Sequence, residues 1–243
     1  MMGIMQTITH KEQQERWEKE HKTPNVLPQM HSNKASSGVI RFLERLKKEG
    51  KQPNELRGME MCCGKGRNVI ELAAQGVTMT GIDFSESAIA EAKKRAKETG
   101  VSDKAQFMVQ DATLPYPMAP ESLDFAFDCF GSTDIESVKG RRAALNNLIK
   151  VLKPGGYLMV YLLSTDDQFQ IEMIIKSPGP DEGSFIHTIN GKYEKAFTED
   201  EVKDFYKELK LCVLERISKK DIFFGKEYSA NHIWAVFQKP QNT

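Results

Sequence analysis

The spacing of hydrophobic positions changes period along the chain. Between Ser36 and Gly50 the apolar residues Val39, Phe42, Leu43 and Leu46 recur every three or four positions with charges between them. That spacing predicts a helix, which Gly50 and the following Lys-Gln-Pro-Asn terminate. Residues 57–62, apolar after Arg57 except for one acid, Glu60, read as a short buried strand. Beyond a glycine turn the period is helical again, with Val69, Ile70, Leu72 and Ala73 on one face and Gly76 at its end. The alternation continues. A strand is predicted over 77–83, and Ser85 is placed to cap the next helix, with Phe84 and Ile89 bracketing the cap as a hydrophobic staple. Ala88, Ile89, Ala92 and Ala96 form that helix's buried side. Further strands are predicted over 105–111, 123–130 and 157–163, with a helix over 138–152 ending in Lys-Pro-Gly-Gly. Thr198 and Glu201 make a capping box for a later helix, flanked by Phe197 and Val202. The last third breaks the alternation. Residues 211–218 and 232–238 are strand-like with no helix between them, and are expected to pair antiparallel at a sheet edge.

Strand and helix units in this order predict an α/β domain, a doubly wound and mostly parallel sheet with helices on both faces. One domain over 36–243 is expected, preceded by a charged amphipathic lead-in over 1–35. The lead-in either closes over the site as a lid or packs on the sheet edge, and 164–196 form an insertion on one side. In such sheets ligands lie beyond the carboxyl ends of the strands, where strand order reverses. Candidate positions are therefore 62–66, Asp83, Asp111, 128–134 and 164–167.

Composition narrows the partners. Lys plus Arg and Asp plus Glu number 34 each, so overall charge gives no reason to expect nucleic acid or an anionic membrane. No apolar run reaches the roughly 20 residues that span a bilayer, and the start turns polar too soon for a signal peptide. A cytoplasmic location is expected. The four cysteines, Cys62, Cys63, Cys129 and Cys212, show no C-x-x-C spacing, so they predict neither a disulfide framework nor a zinc site. Asp134, Asp166 and Asp167 could hold a hard cation, but solvated loop acids are the commoner arrangement and no metal is expected. Cys129, at the end of the fourth strand, lacks a neighbouring proline and reads as a packed thiol.

The glycine turn, Met59-Glu-Met-Cys-Cys-Gly-Lys-Gly66, carries the chemistry. It lacks the G-x-x-x-x-G-K-[ST] of a phosphate-gripping loop. A dinucleotide fingerprint needs a small residue three positions beyond the second glycine, and Val69 stands there. What remains is a tight turn with Glu60 inside its strand, Asp83 ending the second strand and Asp111 ending the third.

These residues resemble the class I S-adenosylmethionine-dependent methyltransferases. The turn matches the family's first motif, with Cys62 where a small residue is usual. Gly81-Ile-Asp83 matches the second, Gln110-Asp-Ala-Thr-Leu-Pro-Tyr-Pro117 the third, and 152–160 the stretch entering the fifth strand. The resemblance implies a Rossmann-like, seven-stranded sheet of order 3-2-1-4-5-7-6 with an antiparallel edge strand, and S-adenosylmethionine as cofactor. It further implies that Cys62, Cys63, Gly64 and Gly66 line the methionyl and ribose parts, that Glu60 orients the methionyl ammonium, and that Asp83, next to Phe84, accepts the ribose hydroxyls. Asp111 and Ala112 would meet the adenine edge, and backbone near Cys129 and Phe130 the methionyl end. Trp17, His21, Asp134, Tyr161, His187 and His232 are the candidates on the acceptor side, the two last as possible general bases; no catalytic residue is assigned. The implied activity is methyl transfer by in-line displacement to a small-molecule acceptor, in a monomer or homodimer. The chain as a whole is similar to small stand-alone methyltransferases of the thiopurine and tellurite-resistance kind. The alternatives are a protein or RNA methyltransferase, or a cofactor-binding regulatory module without catalysis.

Overall fold

The computed structural model describes residues 7–23, 32–223 and 225–241. Five parallel strands, β1 (Arg57–Met61), β2 (Thr78–Asp83), β3 (Ala105–Val109), β4 (Leu123–Cys129) and β5 (Leu152–Leu163), form the body of the main sheet. Two long strands, β8 (Lys210–Phe223) and β9 (Lys226–Gln238), complete it antiparallel, in the order β3-β2-β1-β4-β5-β9-β8. A separate hairpin, β6 (Ser184–Ile186) with β7 (Tyr193–Lys195), precedes them in sequence. Counting only main-sheet strands, the order is the expected 3-2-1-4-5-7-6.

Side-chain alternation along the strands divides the core into two layers. On β4, Phe125, Phe127 and Cys129 face one layer with α2 (Ser37–Lys48), α3 (Arg67–Ala74) and α4 (Glu86–Glu98). Ala126 faces the other layer, with α6 (Val138–Val151) and α8 (Glu199–Phe205). The caps read from sequence are present. Ser85 accepts from the Ala88 N–H at 3.1 Å, and Thr198 with Glu201 closes the reciprocal box on α8.

Three elements depart from expectation. The insertion over 164–196, for which no elements were predicted, holds α7 (Gln168–Lys176) and the β6–β7 hairpin. Its helix escaped the periodicity because Ile171 and Ile175 face solvent while Phe169, Gln170 and Met173 are buried. The closing strands run well past 211–218 and 232–238, through polar sequence that projects over α7; the Asn231 N–H there bonds Asp167 at 2.8 Å. Strand five begins at Leu152, passing through the Lys-Pro-Gly-Gly with a register shift against β4.

Gly66 shows how tightly the first turn is built. It stands at φ 74°, and a methyl group there would lie 2.6 Å from the Phe107 ring. Gly100 shares the left-handed backbone, at φ 72°, but has open space around it. Gly100→Ala is expected to cost about 1–2 kcal/mol for the backbone alone. Gly66→Ala should add about 1–3 kcal/mol of overpacking, so urea unfolding should rank it clearly the worse; equal midpoints would refute the tight packing of turn on sheet.

Candidate functional site

Strand order reverses between β1 and β4, and the carboxyl ends of those strands open into a cavity of about 660 Å³, within the usual range for small-molecule sites. One half is built on the glycine turn. Cys62 follows β1 in left-handed backbone at φ 52°, and Gly64 repeats it at φ 52°, which curls the chain back so that the Gly64 N–H points at Asp83. Asp83 accepts from Gly64 N at 2.8 Å and from Ser85 N at 2.9 Å. Burial pushes its carboxyl up to about 6 against the pull of those two bonds.

Glu60 sits inside β1, 2% exposed. The Asn68 side chain, in the first turn of α3, donates to its Oε1 at 2.5 Å, and Asn68 in turn accepts the Ser36 N–H at 2.8 Å. The other carboxylate oxygen, Oε2, is buried without a partner among the described residues. Burial pushes Glu60 up to about 8, so the group is mostly protonated at neutral pH. An unpaired buried carboxylate costs several kcal/mol unless a cation or a proton compensates it.

Helix α1 (His10–Lys22) lies across this half. A capping box of Thr9 and Glu12 starts it. His10 bridges Asp111, at 2.6 Å, and Glu136, at 3.0 Å. Gln13 bonds both backbone groups of Tyr193, and the Ser85 hydroxyl donates to Glu18 at 2.5 Å. Trp17 and His21 thereby reach the cavity wall. Burial pulls His10 down, but its bonds and charges from Asp111 and Glu136 outweigh that and raise it above 6.5. A raised folded value means that the docking energy is fully present below the unfolded value and is lost as pH rises through the folded one. Amide exchange in α1 should therefore be slower in the wild type than in His10→Gln at pH 6, and the two should converge at alkaline pH. Equal exchange at pH 6 would remove His10 as the latch.

The other half is walled by α7, the hairpin and the ends of β4 and β5. Phe130, at φ 66°, packs with Tyr161 and His232, ring centroids 4.9 and 5.1 Å away. Burial pulls His187 and His232 down to about 4. Both are neutral imidazoles at pH 7 and weak bases; His232 Nδ1 lies 3.0 Å from the Tyr161 hydroxyl. Burial also pushes Cys129 up to about 12, which keeps it a thiol.

Of the residues singled out by sequence, Glu60, Cys62, Cys63, Gly64, Asp83, Phe84, Cys129 and Phe130 line the cavity. So do Trp17, His21, Asp134, Tyr161, His187 and His232. Gly66 stands behind the turn. Asp111 and Ala112 are not on the wall: Asp111 is held by His10 and Thr113, and Ala112 packs in the core. The three loop acids separate, since Asp167 caps α7 and Asp166 pairs with Arg216 at 2.7 Å. Among the described residues no cluster is arranged to hold a metal ion. Sequence reading missed Asn68, Gln170, Glu194, Lys219 and Asp221, all on the wall, while Thr133 fell within the expected stretch 128–134. Asn68 alone left a trace, as a polar residue amid an apolar helix start.

Residues 59–156 match a family model described as a methyltransferase domain. A demethylmenaquinone methyltransferase from Beutenbergia cavernae is 33% identical over 116 residues, 48% of this chain and 44% of that protein. The chain thus spans less than half the length of that relative. The crystal structure of an S-adenosylmethionine-dependent methyltransferase from Methanosarcina mazei superposes with a TM-score of 0.68 at 23% identity, covering 77% of this chain and 93% of that one. A 1,6-didemethyltoxoflavin-N1-methyltransferase from Burkholderia thailandensis, with S-adenosylhomocysteine bound, gives 0.66 at 13% identity, covering 98% and 93%. At these identities both structures speak to the fold alone. No helix among the described residues is long and apolar enough to cross a membrane.

Proposed function

We propose that this chain, which carries a class I S-adenosylmethionine-dependent methyltransferase domain, transfers a methyl group from that cofactor to a small molecule. The observation that carries the reading is Glu60 Oε2, a buried carboxylate oxygen without a partner beside the glycine turn. It fits an ammonium, and the turn above it lacks both the phosphate-gripping sequence and the third small residue of a dinucleotide fingerprint. When bound, the cofactor supplies a methyl group on a sulfonium, a good leaving group.

The chain's own residues bind, orient and exclude water. Glu60 takes the methionyl ammonium, fixed in place by Asn68. Asp83, ionised at neutral pH, accepts the ribose hydroxyls while staying anchored by Gly64 and Ser85. Trp17 and His21 of α1 cover the turn, and Phe130 and Tyr161 form an apolar boundary with the acceptor half. Methyl displacement gains most of its rate from alignment in a dry site, so no single side chain need be indispensable.

The curated relative and the toxoflavin enzyme are both named for small acceptors, and the cavity's size agrees with that class. The test is to incubate the protein with methyl-tritiated S-adenosylmethionine and a lysate separated into small-molecule, protein and RNA fractions. Label is expected in the small-molecule fraction. Label in protein or RNA would favour those acceptors instead, and none above a Glu60→Gln, Asp83→Ala control would favour a binding module.

A further inference from the structure

The acceptor half contains an imbalance of buried charge. Glu194, on β7, is 9% exposed and lines the cavity, as does Asp134 at the end of α5 (Gly131–Asp134), the short helix that follows β4. Among the described residues neither carboxylate receives a hydrogen bond or comes within ion-pair distance of a cation. Burial, and then the charge of Glu194, pushes Asp134 well up; burial raises Glu194 in turn. A third buried acid, Glu20, 3% exposed, stands close behind with one oxygen unpartnered. Among the described residues the cations nearby are Lys219, on the wall but paired with Asp221 at 2.9 Å, and Lys192, fully buried behind the wall, its ammonium without a hydrogen-bond partner and 3.3 Å from the centre of the Trp17 ring. Among the described residues, these buried acids thus hold more acceptor oxygens than the nearby donors satisfy, and burial alone would keep them protonated until a cation arrives.

Two further groups on the wall point the same way. Gln170, 4% exposed, holds its side-chain carbonyl oxygen without a partner, and Thr133, 2% exposed, its hydroxyl. Gln170 Oε1 can only accept, and the threonine oxygen can accept. The residues on either side of Glu194 are both anchored. Tyr193 is fixed by Gln13 on its backbone and by Arg141 and Asp181 on its hydroxyl, at 2.8 and 2.9 Å. Lys195 is tied to Glu201 at 2.8 Å. Strand alternation then leaves Glu194 facing the opposite way from both, into the cavity. The same cavity is lined by the packed Phe130, Tyr161 and His232 rings and by Phe169.

We propose that this half of the cavity binds a small molecule with a cationic amine on an apolar or aromatic body, the ammonium lying between Glu194 and Asp134 and the body against the rings. The arrangement rejects anions: a carboxylate or phosphate placed there would meet Glu194 and Asp134 in a low-dielectric site. The inference rests on the small-molecule reading but names the class of molecule.

Three probes with one ring and different ends test it: 2-phenylethylamine, 2-phenylethanol and 3-phenylpropionate. Each is titrated into the full-length protein by ligand-observed NMR, with and without saturating S-adenosylhomocysteine. The amine is expected to bind at least tenfold more tightly than the other two with S-adenosylhomocysteine present. Glu194→Gln, equal in shape to the wild-type residue and checked by thermal melt, should erase that preference while leaving S-adenosylhomocysteine affinity within about twofold. Phenylpropionate binding as tightly as the amine, equal weak binding of all three, or an amine preference that survives Glu194→Gln would overturn the proposal. The methyl-donor reading fails separately, by absence of S-adenosylhomocysteine binding, and the amine titrations without it still decide the subsite through Glu194→Gln.

Discussion

Asp83→Ala is expected to weaken S-adenosylhomocysteine binding by about 2–4 kcal/mol, roughly 30- to 1000-fold, the loss of two charge-assisted hydrogen bonds with partial compensation by water. Asp134→Ala, on the acceptor side, should change it less than about threefold. The comparison is made by calorimetry on variants of matched thermal stability, because Asp83 also anchors Gly64 and Ser85 at 2.8 and 2.9 Å. Acid should imitate the substitution. With the Asp83 carboxyl near 6, its protonation removes an acceptor oxygen, so wild-type affinity should fall as pH drops through 6, and Asp83→Ala should lose that part of the dependence. Equal affinity of wild type and Asp83→Ala would take Asp83 out of the site.

The second large effect concerns α1. Removing residues 1–23 takes away Trp17 and His21 from the cavity wall, together with the His10, Gln13 and Glu18 bonds that hold the helix down. The main sheet should survive, since its two core layers are built from other elements. A closed cover acts chiefly on escape. Stopped-flow displacement should show S-adenosylhomocysteine leaving at least tenfold faster from the truncated protein, with its association rate changed much less. An unchanged dissociation rate would make α1 a packing element rather than a lid.

The parts of the fold legible in the sequence were those whose periodicity reflects burial. Val69, Leu72 and Ala73 on α3, and Phe125 and Phe127 on β4, face a core and spell out their elements. Helix α7 failed that test because Ile171 is 40% and Ile175 78% exposed, so its apolar residues do not mark a buried face. The far ends of β8 and β9 were invisible because they pair with each other outside the two main layers, where Tyr228, packed on α7, and Ala230 are buried amid polar neighbours. The cofactor half was readable because the backbone itself makes it, from glycines and acids at strand ends. The acceptor half was readable only in part: Asp134, Tyr161, His187 and His232 were named and line the cavity, whereas Glu194 and Gln170 were not. These two come from separate elements, and each is an ordinary polar residue until the hairpin and α7 fold over the strand ends and bury it. Asp111 was placed correctly at the end of the third strand, yet its partner, His10, comes from a helix about 100 residues earlier in the chain, a pairing that local pattern cannot anticipate.

A turn that holds an ammonium-bearing cofactor over Glu60, and not a phosphate-bearing one, has a thermodynamic signature. Glu60 lies near 8 and is mostly protonated at pH 7 in the free protein. An ammonium placed against its carboxylate would pull that value down, so binding must release a proton. The measurement is calorimetric titration of S-adenosylhomocysteine, with NAD in parallel, at pH 7 in two buffers of different ionisation enthalpy. The expected result is saturable binding of S-adenosylhomocysteine alone, with net release approaching about one proton that disappears in Glu60→Gln. Saturable NAD binding with no response to S-adenosylhomocysteine, or binding whose proton balance is the same in Glu60→Gln, would contradict the account.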